Sequence, residues 1–171
     1  MDGLFEIAFR VDAVPVAQPR PRAVMRGRHA GVMEADKSHP IHAFKASVRM
    51  AFCAVHEGPP VDDCDLVLTI VFVMPRTQDC AKYGTGRVPY RVKRNDWDNL
   101  GKAVSDALNQ LAWTDDGLIH AAYVERWYAA QDEKAHCDIT IRRLDDPVKL
   151  ASSRKRKPEA GIELFPAEAA S

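Results

Sequence analysis

The chain reads as a single compact α+β domain, a mixed β-sheet with two main helices. Three observations predict this. Residues 4–11 (LFEIAFRV) and 64–74 (CDLVLTIVFVM) carry the alternating or doubly apolar patterns of strands. Residues 38–57 and 98–111 repeat their apolar side chains at three- and four-residue steps, as a helix with one buried face does. At 171 residues the chain is long enough for one proper core and too short for two comfortable ones.

In order along the chain, Phe5, Ile7, Phe9 and Val11 alternate as the inward residues of a half-buried first strand. The following stretch, VAQPRPRAVMRGRHAGVMEA, has prolines that block a helix and a turn-like RGRHAG, which predicts a hairpin with arginine-rich arms. Ser38 is then placed to cap a helix with Pro40 in its first turn and Ile41, Phe44, Val48, Phe52 and Val55 on one face, running to about residue 57, where Gly58-Pro59-Pro60 stops it. The β-branched run 64–74 predicts a central, buried strand. Residues 75–95 turn polar, and a loop of that length inside a compact domain is usually functional or mobile. Leu100, Ala103, Val104, Ala107, Leu108 and Leu111 then form one apolar stripe, with Asp98 placed to cap the second helix. After a TDDG turn, residues 118–129 and 136–144 alternate as two strands joined by the polar QDEKA, an expected antiparallel pair. The folded domain is expected to span residues 1–146. Residues 147–171, small, charged and interrupted by proline, are expected to be a flexible tail. Within that tail GIELF faintly resembles peptides that bind bacterial sliding clamps, without their leading glutamine.

Composition excludes several classes. No apolar run approaches the ~20 residues of a membrane helix, and MDGLFEIAF has no basic leader before an apolar stretch, so a cytoplasmic protein is expected. The four cysteines form no CxxC pair, and neither a disulfide scaffold nor a zinc site has spacing in its favour. Net charge is zero, but its distribution is not even. Residues 10–49 hold eight Lys/Arg against three Asp/Glu, residues 76–94 hold six against one, and acids concentrate from Asp96 onward. Basic segments around an acidic centre suit a metal-dependent enzyme acting on a polyanion, and equally suit solvated loops.

That acidic centre, DWDNLGKAVSDALNQLAWTDD over residues 96–116, holds five carboxylates and one lysine. Carboxylates that converge can hold divalent metals, and a nearby lysine can contact the same phosphate as a point charge. On a helical wheel Asp98, Lys102 and Asp106 fall within about 80° of one another, opposite the apolar stripe. Asp96 in extended geometry points the same way as Asp98. Asp115 and Asp116 follow the helix and rejoin that face only if the turn is suitably directed. Each piece also has a structural explanation: Asp98 as a cap, Lys102 as the i,i+4 partner of Asp98 or Asp106, Asp-Asp-Gly as a turn. Asp62-Asp63 and Asp145-Asp146 are further acidic pairs beside expected strands, with nothing to mark them as catalytic.

Taken as one string, Asp96-Trp97-Asp98-Asn99-Leu100-Gly101-Lys102, Asp106-Ala107-Leu108 and Trp113-Thr114-Asp115-Asp116 resemble the motif of the RusA family of Holliday junction resolvases. The close match covers these 21 residues and extends loosely to Arg20–Arg22, the first helix and the last strands. The resemblance implies a homodimeric, Mg²⁺-dependent endonuclease, with Mn²⁺ as an alternative metal, that nicks four-way DNA junctions symmetrically. It implies Asp96, Asp98 and Asp116 as metal-binding carboxylates, Asp115 as an accessory acid, Lys102 at the cleaved phosphate and Asp106 in support. Asn99 is expected to order the turn into the helix. Arg20, Arg22, Arg26 and Arg28 of the hairpin, with Arg87, Arg91, Lys93 and Arg94 of the loop, are expected to hold the DNA backbone without reading much sequence. The loop at 75–95 and the tail exceed those of smaller family members, so other branched DNA stays open as substrate. Two rivals remain at this point. One is another Asp-x-Asp enzyme, a glycosyltransferase or phosphatase, although those acids normally end an apolar strand and here RVKRN precedes them. The other is a branched-DNA-binding protein of the same fold without catalysis.

Overall fold

The computed structural model describes residues 5–20, 36–92 and 95–144, and the backbone alone of 22–26 and 29–33. The strands are β1 (Glu6–Val11), β2 (Arg22–Arg26), β3 (His29–Met33), β4 (Leu66–Met74), β5 (Val88–Pro89), β6 (Ile119–Tyr128) and β7 (His136–Arg143); the helices are α1 (Pro40–Cys53) and α2 (Trp97–Leu108). Two 3₁₀ segments, Gln78–Tyr83 and Asp116–Leu118, flank α2 at a distance and at its exit. Five strands form one mixed sheet in the order β1-β7-β4-β6-β5, and β2 and β3 form a separate antiparallel hairpin. The α+β class, the mixed sheet and the two helices therefore stand. The tail 147–171, with its GIELF segment, lies outside the described residues.

β4 takes the centre because both of its faces are apolar. Leu66, Leu68, Ile70, Phe72 and Met74 point into the main core, while Val67 and Val73 are buried on the other face. Rows of side chains cross the sheet in register: Phe9 opposite Ile139, Ile139 opposite Ile70, and Ile70 opposite Val124. Both helices cover this face, α1 through Ile41, Phe44, Val48 and Phe52, and α2 through Leu100, Ala103, Val104, Ala107 and Leu108. Trp113, completely buried, closes the core just beyond α2. Beside Val67 and Val73, the opposite face of the sheet carries polar pairs: Arg10 forms a bidentate pair with Asp138 (2.7 and 3.1 Å), whose Oδ2 stands 3.2 Å from Nε2 of the buried His136.

Several expectations need correction. β6 and β7 are not partners: β4 lies between them, parallel to β6 and antiparallel to β7. Alternation predicts a strand but not its neighbour, and the seven residues 129–135 are long enough to step over one strand, a lateral span of about 10 Å. β4, apolar on both sides, claims the protected slot. Helix α1 starts after His39, not Ser38: the His39 Nδ1 accepts from the Ile41 amide (3.1 Å), while Ser38 turns back to Asp36 (2.8 Å from its amide, 2.7 Å from its hydroxyl). It ends at Cys53 rather than near residue 57, with a turn at 54–55. Helix α2 starts one residue before Asp98, with Asp96 at the N-cap position, and ends at Leu108 rather than Leu111.

The loop 75–95 is largely built. Arg76 donates four hydrogen bonds to backbone carbonyls, at Gly86 and Ala129 (both 2.9 Å), Cys80 (3.0 Å) and Gly84. Gly84 has φ +86°, which only glycine adopts without strain, and it ends the first 3₁₀ segment. Arg87 pairs with Glu133 through both carboxylate oxygens, so the loop is also fastened to the β6–β7 connection.

Candidate active site

The acids at the start of α2 are not used as helix caps. Asp96 occupies the N-cap position and its side chain makes no capping hydrogen bond; it accepts instead from Arg20 Nη2 at 3.0 Å. An aspartate at this position ordinarily bonds an amide of the first turn. Asp98 follows in that turn, exposed. Trp97 between them is 60 % exposed, unusual for the side chain with the largest apolar surface. The segment before Arg20 is tied to the helix through the Gln18 amide, which donates to the Asn99 carbonyl at 2.9 Å. This contact uses the backbone of Asn99 and not its side chain. A groove of about 490 Å³ runs along it, lined among others by Gln18, Arg20, Asn95, Asp96 and Asn99.

Asp116 is the acid whose position the helical wheel leaves open, and the structure returns it to α2. Its Oδ1 accepts from Ser105 Oγ on the helix (3.0 Å) and from Nε1 of the buried Trp113 (2.8 Å). Ser105 lies seven residues after Asp98, two turns along the same face and about 10 Å down the axis. The turn that achieves this uses Asp115, whose Oδ1 caps the second 3₁₀ segment by accepting from the Gly117 amide at 2.6 Å. A Cβ at Gly117 would stand 2.7 Å from that oxygen, so glycine permits the close approach. Asp63, of the comparison pair Asp62-Asp63, faces Arg143 instead (3.3 Å).

Lys102 and Asp106 pair at 3.2 Å, and Asp106 also accepts from Lys45 of α1 at 3.0 Å. Asp106 therefore joins the two helices, and the Lys102 ammonium points along α2 away from Asp98. Its side chain remains 61 % exposed. Of the basic residues, Arg20 is exposed and bridges to Asp96, Arg91 is exposed, and Arg87 is committed to Glu133. Arg22 and Arg26 sit on β2, described by backbone only; Arg28, Lys93 and Arg94 lie outside the described residues.

Among the described residues, no three His, Cys, Asp or Glu side chains stand close enough to hold a metal ion. The donor chemistry still suits a hard divalent cation, since every candidate ligand is a carboxylate oxygen. Asp96 keeps Oδ1 and Asp116 keeps Oδ2 outside the hydrogen bonds just described. Ser105 and Trp113 were missed by sequence reading. Their signals are the seven-residue spacing from Asp98 and a tryptophan three residues before Asp116.

Asp96 and Asp98 at the start of α2, Asp116 returned to that helix by a turn, and Arg20 bridged to Asp96 make up the candidate site. The sequence profile described as Endodeoxyribonuclease RusA matches residues 12–142, most of the chain, and the protein belongs to that family. The family is one of endodeoxyribonucleases acting on Holliday junctions. No curated protein matches the chain significantly. Among the described residues no helix is long and apolar enough to cross a membrane.

Proposed function

We propose that the protein is an Mg²⁺-dependent, structure-selective endodeoxyribonuclease of the cytoplasm that acts as a homodimer and resolves four-way DNA junctions by paired nicks. The observation that carries this reading is the return of Asp116 to the acidic face of α2, together with an N-cap aspartate withheld from capping. Asp96, Asp98 and Asp116 would hold the cation, with Asp115 as accessory acid. The chemistry supplied by bound Mg²⁺ or Mn²⁺ would be an activated water and neutralisation of charge on the phosphate. Ser105 and Trp113 fix one oxygen of Asp116, and the other, outside those hydrogen bonds, would be the one offered to the cation. Lys102 is exposed and able to swing from Asp106 to the cleaved phosphate. Arg20, Arg22, Arg26 and Arg28 with Arg91, Lys93 and Arg94 would clasp the backbone, a contact that weakens steeply with salt. Arg87 belongs to the loop's own architecture. Two-fold symmetry would set two sites on two strands of one junction.

The test is cleavage of a synthetic four-way junction with and without Mg²⁺, for the wild type, Asp98→Asn and Asp116→Asn, beside light scattering of the protein. Cleavage should need the metal, and each variant should lose at least about a hundredfold, the scale of removing one charge-stabilising contact. A wild type that binds and never cuts with Mg²⁺ or Mn²⁺ would leave a non-catalytic binder. Normal cutting by both variants would refute the site, and a strict monomer would refute the paired nick.

A further inference from the structure

The built part of the 75–95 loop encloses a cavity of about 280 Å³, away from the carboxylates. Tyr83, Tyr128 and Val88 give it aromatic and apolar walls; Lys82 and Arg91 bring two cations against the one carboxylate of Asp79. Neither Lys82 nor Arg91 forms an ion pair among the described residues. The Lys82 ammonium sits 5.1 Å from the centre of the Tyr83 ring, and that ring is 63 % exposed. An exposed tyrosine on a flexible loop means little. Here the segment carrying it is held by the four carbonyl bonds of Arg76, so the ring is presented by a rigid frame.

The cavity is also connected to the acids. Tyr128 packs on Tyr90 with ring centres 4.7 Å apart, the Tyr90 hydroxyl accepts from Asn95 Nδ2 at 3.0 Å, and Asn95 precedes Asp96. Arg126 lies over the Tyr90 ring and donates to the Asn95 carbonyl at 2.7 Å. An occupant that pressed on Tyr128 would therefore bear on the start of α2.

We propose that this cavity seats one unpaired nucleotide of the bound DNA, its base stacked on Tyr83 and Tyr128 and its phosphate held by Lys82 and Arg91. An aromatic wall with unpaired cations at its rim matches a nucleotide, because every base has a face to stack and every phosphate a charge to neutralise. The inference rests on the nuclease reading and narrows its substrate to branched DNA with an unpaired base near the branch.

The full-length protein is mixed, in EDTA, with a fully paired four-way junction and with the same junction carrying one unpaired 2-aminopurine at the branch. The wild type should prefer the second by about fivefold or more, the scale of one base–aromatic stack, and should quench the probe's fluorescence. Tyr83→Ala and Lys82→Ala should lose preference and quenching while keeping the wild-type melting temperature and their grip on the paired junction. If Tyr83→Ala matches the wild type on both probes, the assignment falls while the nuclease reading stands. If free AMP at micromolar concentration abolishes the quenching, the cavity takes a free nucleotide and the assignment to DNA falls. A wild type that binds neither junction overturns the nuclease reading itself.

Discussion

Trp113 shows how one side chain can serve both the core and the chemistry. Its ring is completely buried and its only polar atom donates to Asp116. Trp113→Phe keeps an aromatic ring in the core, but it gives up part of the buried volume, on the order of 1–3 kcal/mol, and removes the donor that aims the carboxylate. The expected result is a folded protein with a modestly lower urea midpoint and weaker metal response, read by calorimetric Mn²⁺ titration as well as by cleavage. Unchanged Mn²⁺ affinity would show that Ser105 alone suffices. At this scale the sequence was legible in part. The spacing of Asp96, Asp98, Lys102 and Asp106 could be read on a wheel because helical geometry is regular. The direction of the Asp115-Asp116 turn could not, since it depends on Trp113 and Ser105 reaching one oxygen and on Gly117 leaving room for another. The roles of Lys102 and Asp106 were also ambiguous, because a lysine four residues from either acid can choose, and Lys45 from another helix settles where Asp106 points.

Among the elements, α2 carries most of the site, and its least helical residue is Gly101. A Cβ there would meet only Val124 Cγ2 at 3.5 Å, ordinary van der Waals contact with β6. Gly101→Ala should therefore stabilise the protein by about 0.5–1 kcal/mol through the entropy of the unfolded chain, raising the melting temperature without disturbing the motif. A drop in melting temperature would mean that the α2–β6 spacing tolerates no added methyl. Strands β1, β4, β6 and β7 and both helices were visible as periodic segments. The pairing of β6 with β7 was misjudged because a polar connection of seven residues looks the same whether it closes a hairpin or crosses a strand. The helix caps were off by one residue for α1 and by two for α2, since Ser38 and Asp98 are good caps by type, while His39 and Asp96 occupy the positions.

For the whole molecule, acid stability should hinge on the ion pairs that fasten the loop and the sheet's polar face. The Arg87 guanidinium, bonded to both oxygens, pulls the Glu133 carboxyl from 4.5 down to about 2. Burial pushes the Asp138 carboxyl up, but the Arg10 hydrogen bond and neighbouring His136 outweigh it, and its value is lowered overall. A carboxylate with a depressed folded value stabilises above its ordinary range and loses that contribution as pH falls through the folded value. Melting temperature should thus decline between about pH 4.5 and pH 2, and Glu133→Gln should flatten part of that decline. An identical slope in the variant would show that the Arg87–Glu133 clasp carries no pH-dependent stability. The strand order has a different consequence, one of time. β1 is made first, yet its sheet partner is β7, made last; β4, made midway, must accept β7 on one edge and β6 on the other. The sheet cannot close until nearly the whole domain has been synthesised. Long-range pairing of this kind folds slowly and leaves edges open meanwhile. The growing chain therefore carries its most apolar strand with at least one edge unpaired until residues 136–143 arrive, which makes β7 the clasp that shields β4 from other chains.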